Sequence, residues 1–131
     1  MKRYTISAVF KSDINRVWNI VTDNTFFKWR SDLEEIKVID DNIFVEISKG
    51  GYKTEFEITH KEPLKYYAFE IKGQNMSGQW HGKFSEYQNG TKIEFTEELT
   101  PKNPIMNLFL GFYIKKQQAL YISDLKKALG E

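Results

Sequence analysis

The order in which hydrophobic periodicities follow one another is the feature that most constrains this fold. One alternating segment comes first, then two short helical patterns, then six alternating segments with no helix among them, and last a helical pattern over about 105–129. Alternation with a period of two indicates half-buried strands, whereas apolar residues three and four apart indicate helices. This order allows one curved antiparallel sheet to close around the last helix and to enclose a cavity. The sequence therefore predicts an α+β fold, βααββββββα, with about seven strands.

The first strand and the two short helices are predicted near the N-terminus. Residues 3–10 alternate between apolar and polar side chains. Ser12 or Asp13 can cap the helix that follows, because a short side-chain oxygen accepts from the free backbone N–H groups of a first turn. Asn24 can cap a second short helix over residues 26–33. Both helices would pack an apolar side against the sheet.

Turn residues separate the six later strands. Connections this short join antiparallel neighbours, because a parallel crossover needs a helix or about a dozen residues. We therefore expect a meander with one covered face and one solvated face. The turn segments are Asp41-Asn42, Gly50-Gly51, Glu62-Pro63, Gly73–Gly78 and Asn89-Gly90.

The last helix has clear start and stop signals. Asn103 is a typical N-cap, Pro104 suits the first helical position, and Gly130 can end the helix. Its first half is apolar on nearly every side, which can indicate a cavity gate, a membrane-touching edge or a homodimer interface; we favour the dimer. The apolar face predicted to pack on the sheet comprises Ile105, Leu108, Phe109, Phe112, Ile114, Gln118, Ile122, Leu125 and Leu129.

Composition excludes several classes of function. The 19 basic and 18 acidic side chains are dispersed, so no basic stripe is available for nucleic acid. The absence of cysteine excludes disulfides and thiolate metal sites and favours the cytoplasm. No signal-peptide pattern and no apolar run of about 20 residues is present, so we expect no membrane span. These patterns predict a single domain over residues 1–131.

Three motifs resemble a known superfamily. Ser12-Asp13-Ile14-Asn15-Arg16-Val17-Trp18 is similar to the opening helix of the bacterial START-like, or SRPBCC, proteins. Phe27-Lys28-Trp29-Arg30-Ser31-Asp32-Leu33 resembles their tryptophan-containing second helix, and Asn89-Gly90-Thr91-Lys92-Ile93 resembles their turn into the last strand. This superfamily includes polyketide cyclase/dehydrase-like and Bet v 1-like proteins. The resemblance spans the whole chain, but its motifs are structural rather than catalytic.

The resemblance implies a helix-grip fold with an elongated cavity between the sheet and the last helix. Many relatives bind apolar or amphipathic ligands such as lipids, some catalyse cyclisation or dehydration, and one branch activates the Hsp90 chaperone. Our first hypothesis is therefore binding of a small hydrophobic or aromatic ligand in this cavity. The alternatives are a polyketide cyclase/dehydrase-like enzyme and an Hsp90-activator-like interaction domain. The sequence alone does not decide whether the protein is an enzyme.

Candidate catalytic residues are few. Glu97 interrupts an apolar row, and inside a cavity its carboxyl could act as a general acid or base. We favour an outward or rim position for Glu97, because glutamate is almost never buried without a partner. Tyr52 and Tyr67 are the other two candidates for proton transfer.

Aromatic side chains predominate among the candidate ligand contacts, since flat rings supply apolar area with few rotamers. His60 and His81 lie in different strands without metal-site spacing, so we expect neither a metal nor a cofactor. The predicted ligand-binding residues are Trp29, Tyr52, Phe56, Tyr67, Phe69, Trp80, Phe84, Phe95, Phe109 and Phe112.

Overall fold

The computed structural model describes residues 2–131, and Met1, which belongs to the predicted domain, lies outside the described residues. Seven strands and two helices follow one another along this part of the chain. They are β1 (Lys2–Phe10), α1 (Ile14–Thr22), β2 (Leu33–Val38), β3 (Ile43–Ser48), β4 (Lys53–Glu62), β5 (Tyr66–Gly73), β6 (Met76–Tyr87), β7 (Gly90–Pro101) and α2 (Pro104–Ala128).

The strands form one antiparallel sheet in the order β1-β7-β6-β5-β4-β3-β2. The six strands from β2 to β7 make the predicted meander, and β1 joins it by pairing with β7. This α+β architecture, a curved sheet with a long C-terminal helix, confirms the predicted fold class. The inner face of the sheet and both helices share one hydrophobic core.

The register of β7 decides where Glu97 lies. The pairing of β7 with β6 runs from Pro101 opposite Met76 to Gly90 opposite Tyr87 without a shift. Because side chains alternate strictly along a regular strand, Glu97 shares the inner face with its buried neighbours Phe95 and Leu99. No bulge turns it outward.

The N-cap of α1 confirms one of the two predicted residues. The Asp13 side chain accepts from Arg16 N at 3.1 Å.

The second predicted helix is absent from the described chain: residues 23–32 form successive turns, and Leu33 already begins β2. The apolar residues of this segment had suggested a helix, but Asp23 instead accepts from Thr25 N at 3.0 Å, a local turn that competes with helix formation.

Helix α2 begins as predicted. Pro104 occupies the first turn, and Asn103 Oδ1 accepts from Met106 N at 2.7 Å. Past its other end, Gly130 adopts a φ of +76°, which favours glycine.

The face that α2 turns to the sheet differs from the prediction in its first half. Leu110 and Ile114 are buried there, whereas Leu108 is 79% exposed and Phe112 is 78% exposed. The first half is apolar on nearly every side, so its composition does not distinguish one face from another. The second half does, and extending its buried face back by steps of four from Gln118 gives Ile114 and Leu110.

The prediction was therefore wrong for four residues, which form an exposed stripe on α2: Ile105, Leu108, Phe109 and Phe112. Even with this stripe, neither helix within residues 2–131 is long and apolar enough to cross a membrane.

Polar contacts fix the C-terminal half of α2 to the rest of the molecule. Asp124 is buried and accepts from both the backbone N and Oγ of Ser31, each at 2.8 Å. Beyond the helix, the Glu131 side chain accepts from Lys11 N at 2.7 Å and from Ser12 Oγ at 2.8 Å. The Asp124 contact holds the turn segment before β2 against α2, and this segment carries Arg30 into the interior.

Candidate ligand-binding cavity

A cavity of about 210 Å³ lies between the inner face of the sheet and the middle of α2. It adjoins an outer pocket of about 460 Å³ that lies beneath the first half of α2. Thr54, Ile71, Met76 and Tyr113 are among the residues that line both spaces. We call the first space the inner cavity and the second the mouth.

Aromatic rings from neighbouring strands make up the wall of the inner cavity. Phe69 and Trp80 stack in parallel with their centroids 4.8 Å apart, and Phe95 lies 4.8 Å from Trp80 on the other side. Phe56 continues the wall, with its centroid 5.2 Å from that of Phe69. These rings support one another and present apolar area to the enclosed space.

Gly82 makes room for this wall. A Cβ atom at this position would lie 2.8 Å from Trp80 Cη2 and 2.9 Å from Phe95 Cδ1. Two rings thus pack over a residue that has no side chain, which accounts for a glycine in the interior of β6.

A group of charged residues lines the inner cavity, and two of its members, Asp32 and Glu46, also line the mouth. Arg30 donates from Nε and Nη2 to the two carboxylate oxygens of Asp32, at 3.1 and 3.0 Å. Its Nη1 lies 3.5 Å from Glu46 Oε2 of β3. The guanidinium also lies over the ring of Tyr121, 4.9 Å from its centroid. All three guanidinium nitrogens therefore face an acid in a largely enclosed site.

This environment shifts the pKa of both partners. Burial alone would lower the pKa of Arg30, but the charge of Glu46 and the contact with Asp32 outweigh it and raise that pKa. Burial also raises the pKa of Glu46, and Arg30 opposes that shift only in part. Glu46 is therefore more easily protonated than an exposed glutamate.

Glu97 lines the same inner cavity from β7, with Trp80 and Tyr4 as its cross-strand neighbours. This is the inward orientation, not the outward or rim position that we favoured from the sequence. Burial is the main reason that its pKa rises to about 7, and the charge of Glu46 adds to the rise. A carboxyl with this pKa exchanges a proton near neutral pH.

Tyrosine hydroxyls complete the polar part of the inner cavity. Tyr67 is only 2% exposed, and Asn24 donates to its hydroxyl at 3.5 Å. Burial raises the pKa values of Tyr67, Tyr113 and Tyr121, so all three hydroxyls stay neutral at physiological pH. Neutral hydroxyls can both donate and accept hydrogen bonds to a ligand.

The predicted ligand contacts divide into two groups in the structure. Five of the ten line the inner cavity: Phe56, Tyr67, Phe69, Trp80 and Phe95. The other five lie elsewhere, and their positions have separate causes.

Trp29 packs edge-on against Tyr121 at 5.3 Å, outside the cavity lining. Phe84 is buried under Trp18, with the centroids 4.8 Å apart. Tyr52 and Phe109 line the mouth, and Tyr52 is 66% exposed. Phe112 belongs to the exposed stripe on α2.

Sequence reasoning missed the charged group formed by Arg30, Asp32 and Glu46. Arg30 and Asp32 stood in the quoted tryptophan motif, but nothing in the motif indicated that they face the cavity. Glu46 shares its strand face with Phe44, a buried residue, and this alternation was the one available signal. The sequence placed Gln118 on the apolar face of α2 without a role. In the structure it is buried, and its amide donates to Tyr4 O at 3.2 Å.

The two histidines take no part in this site. Tyr66 of β5 has its ring centroid 5.1 Å from that of His60 and 5.9 Å from that of His81. In the part of the chain that the structure describes, no group of three histidine or acidic residues has a geometry suited to a metal ion.

Solved structures with low sequence identity share this fold. A conserved protein from Geobacillus kaustophilus superposes with a TM-score of 0.86 at 14% identity, over 98% of this chain and 95% of that one. The Aha1 dimer from Colwellia psychrerythraea gives 0.76 at 18% identity, over 98% and 96% of the two chains. DynU16, from the dynemicin biosynthetic locus, gives 0.80 at 13% identity, over 99% of this chain but 48% of its own.

No protein-family model matches this sequence, and no curated protein matches it at the threshold for significance. At these identities the structural neighbours establish the fold alone. The chain has the helix-grip fold that its resemblance to the START-like superfamily predicted.

Proposed function

We propose that this protein binds a small hydrophobic or aromatic molecule in its inner cavity. The observation that carries the proposal is the cavity of about 210 Å³ with an aromatic wall and a group of polar side chains in its lining. Ligand sites in proteins typically combine a mostly apolar lining with a few polar groups that orient the ligand.

The mouth supports the same proposal because it provides a route to the inner cavity. Its lining includes Met106 and Phe109 from α2 and Tyr52 from the turn before β4. The flexible side chain of Met106 can adapt to an apolar molecule as it enters. An elongated ligand can therefore extend from the mouth past Asp32 and Glu46 into the inner cavity.

The test is a ligand screen with a variant that obstructs the passage. Thr54 lines both spaces, so Thr54→Phe should block entry to the inner cavity. Thr59→Phe is the matched control, because Thr59 is exposed near the end of β4. Native mass spectrometry and thermal shifts with aromatic and lipid compounds should detect binding to the wild type and to Thr59→Phe, but not to Thr54→Phe. Equal binding by all three proteins would contradict the proposal.

A second candidate function is acid–base catalysis of the polyketide cyclase/dehydrase kind. It is favoured by the position of Glu97 beside an enclosed cavity with Tyr67 in the same lining, because such chemistry needs polar groups that converge on the substrate. DynU16, which shares the fold, comes from a biosynthetic locus. Glu97→Gln should abolish turnover of a cyclisable polyketide analogue while leaving binding intact; unchanged turnover would exclude Glu97 as the proton-transfer group.

A further proposal concerns protein contacts through the exposed stripe on α2. Four large apolar side chains on one helix face are typical of an interface. Homodimerisation is our preferred use of this stripe, and the Aha1 neighbour was solved as a dimer. Analytical ultracentrifugation should show a dimer that Leu108→Lys dissociates. A monomeric wild type that captures no partner would exclude both the dimer and an Hsp90-activator-like role.

We also infer a cytoplasmic location from the absence of cysteine in the sequence. Cell fractionation tests it, and recovery of the protein outside the cytoplasm would overturn it.

A further inference from the structure

The charges that line the inner cavity are unequal in sign. Among the described residues, Arg30 is the one basic residue in its lining, whereas Asp32, Glu46 and Glu97 are acidic. With Asp32 paired to Arg30, the net charge of these four groups runs from zero, when both glutamates are protonated, to −2, when both are ionised.

Arg30 is not free to bind an anion. Two of its guanidinium nitrogens donate to Asp32 and the third faces Glu46, so its single positive charge is already opposed by two acids. It therefore offers little net attraction to an incoming carboxylate. Within residues 2–131, Glu97 forms no ion pair with a basic side chain, and the charge of Arg30 offsets only part of the rise in its pKa.

The aromatic wall adjoins Glu97 and supplies apolar surface beside it. Trp80 lies directly across the strand pair from Glu97, and Phe95 precedes Glu97 by two residues on the same face. Phe69 and Phe95 pack on either side of Trp80, so the acids rather than the rings favour a positive charge here. A cation near Glu97 would therefore meet a carboxylate, with apolar surface next to it for the rest of the ligand.

We propose that the ligand of this cavity is an amine, bound as its protonated cation with the charged nitrogen beside Glu97 and Glu46 and its apolar body against the aromatic wall. This rests on the proposed ligand-binding function and specifies the chemical class of the ligand. The opposite class, an amphiphile with a carboxylate head such as a fatty acid, would meet uncompensated negative charge, because Asp32 and Glu46 line both the mouth and the inner cavity and Glu97 lines the inner cavity.

Binding of such a cation is linked to the protonation of Glu97. The groups that face this carboxyl are Glu46 on β3, Arg30 and Asp32 before β2, Tyr67 on β5, and Tyr113 and Tyr121 with the Gln118 amide on α2. Lys53 lies at the mouth. Of these, Glu46 shares with Glu97 a pKa raised by burial, and both must be ionised for the strongest attraction. Amine affinity should therefore decrease as the pH is lowered below about 7.

Three ligands with a common aromatic skeleton test this proposal: 4-phenylbutylamine, 4-phenylbutanol and 4-phenylbutyrate. Their affinities can be measured by calorimetry and by quenching of tryptophan fluorescence at about pH 8, where Glu97 is mostly ionised. We expect the amine to bind at least about tenfold more tightly than the carboxylate, with the alcohol between them. Near pH 6, binding of the amine should release protons, whereas binding of the alcohol should not.

The variant Glu97→Gln keeps the shape of the side chain and removes its charge. It should weaken amine binding by about tenfold and leave alcohol binding within about threefold. Glu86→Gln, an exposed substitution on β6, is the matched control and should change neither affinity. Should Glu97→Gln fail to fold, the pH dependence of the wild type still decides: amine affinity must fall between about pH 8 and pH 5.5 while alcohol affinity stays constant.

The possible failures are distinguishable. If the carboxylate binds as tightly as the amine, or if Glu97→Gln leaves amine affinity unchanged, the amine proposal is overturned and the binding function stands. If none of the three compounds binds, both the binding function and the amine proposal are overturned.

Discussion

Glu97 of β7 and Glu46 of β3 line the same inner cavity, although three strands of the sheet separate β7 from β3. After burial, the charge of Glu46 is the largest contribution that raises the pKa of Glu97 to about 7. The curvature of the sheet brings these two acids into one electrostatic environment, and the first two predictions follow from this coupling.

Removing the charge of Glu46 should lower the pKa of Glu97. In Glu46→Gln the burial of Glu97 persists but the repulsion is lost, so its pKa should fall from about 7 and remain above the ordinary value of 4.5. Carboxyl ¹³C shifts followed over a pH titration measure this directly. Glu86→Gln is the control, and a Glu97 pKa that does not respond to Glu46→Gln would contradict the coupling.

Stability should decrease as pH rises through neutrality. The pKa of Glu97 is raised in the folded protein, so the folded state binds more protons than the unfolded state between about 4.5 and 7. The resulting stability is present below the unfolded pKa and is lost as pH rises through the folded pKa, at a slope of up to ~1.4 kcal/mol per pH unit. Glu46, shifted in the same direction, adds to this loss.

Urea unfolding at several pH values tests this dependence. In Glu97→Gln the free energy of unfolding should decrease less steeply with rising pH. This variant should be more stable than the wild type at about pH 8, and the difference should be smaller at about pH 5. A wild-type stability that rises from pH 5 to pH 8 would show that other groups outweigh Glu97 and Glu46.

Loss of the Arg30 guanidinium should destabilise the fold strongly. Arg30→Met leaves Asp32 and Glu46 without their cation in a largely enclosed site, which should lower the free energy of unfolding by about 3 kcal/mol. Arg3→Met is the matched control. Arg3 is mostly exposed and lies 3.9 Å from Glu98, so its loss should cost at most ~1 kcal/mol. Equal losses in the two variants would show that the charged group around Arg30 is no more stabilising than a surface ion pair.

Adding a methyl group at Gly82 should disturb the aromatic wall. Gly82→Ala forces Trp80 and Phe95 apart, because the new Cβ would lie less than 3 Å from each ring. We expect a loss of about 1–3 kcal/mol in the free energy of unfolding and a change in the tryptophan fluorescence, to which Trp80 contributes. Gly111→Ala, on α2, is the control. Its Cβ would lie 3.4 Å from Tyr4 Oη, so it should be neutral or gain up to ~1 kcal/mol from helix propensity. Fluorescence that Gly82→Ala leaves unchanged would contradict the packing described for the wall.

Two leucines on α2 test which face of the helix is buried. Leu110 is 1% exposed, so Leu110→Ala should cost about 2–5 kcal/mol, whereas Leu108→Ala should change stability by less than ~0.5 kcal/mol in the monomer. Chemical denaturation of both variants at low protein concentration provides the comparison. A large loss of unfolding free energy in Leu108→Ala but not in Leu110→Ala would show that the helix face predicted from the sequence is the buried one.

Local patterns in the sequence were sufficient to predict the seven strands, the first and last helices and their order, although they also predicted a second short helix that residues 23–32 do not form. Alternation identified the strands, and the side-chain caps Asp13 and Asn103 marked the starts of both helices, because these signals act within a few residues. The same patterns predicted five of the side chains that line the inner cavity, since alternation assigns each strand residue to a face.

The tertiary structure alone decided the rotation of the first half of α2, the inward position of Glu97 and the meeting of Arg30 with Glu46. An apolar helix half has no preferred face until Asp124 and Leu125 fix the register of the other half against the sheet. A buried acid depends on partners distant in sequence, and these meet only when the sheet curves. The chemistry of the cavity depends on such long-range contacts, which no local periodicity encodes.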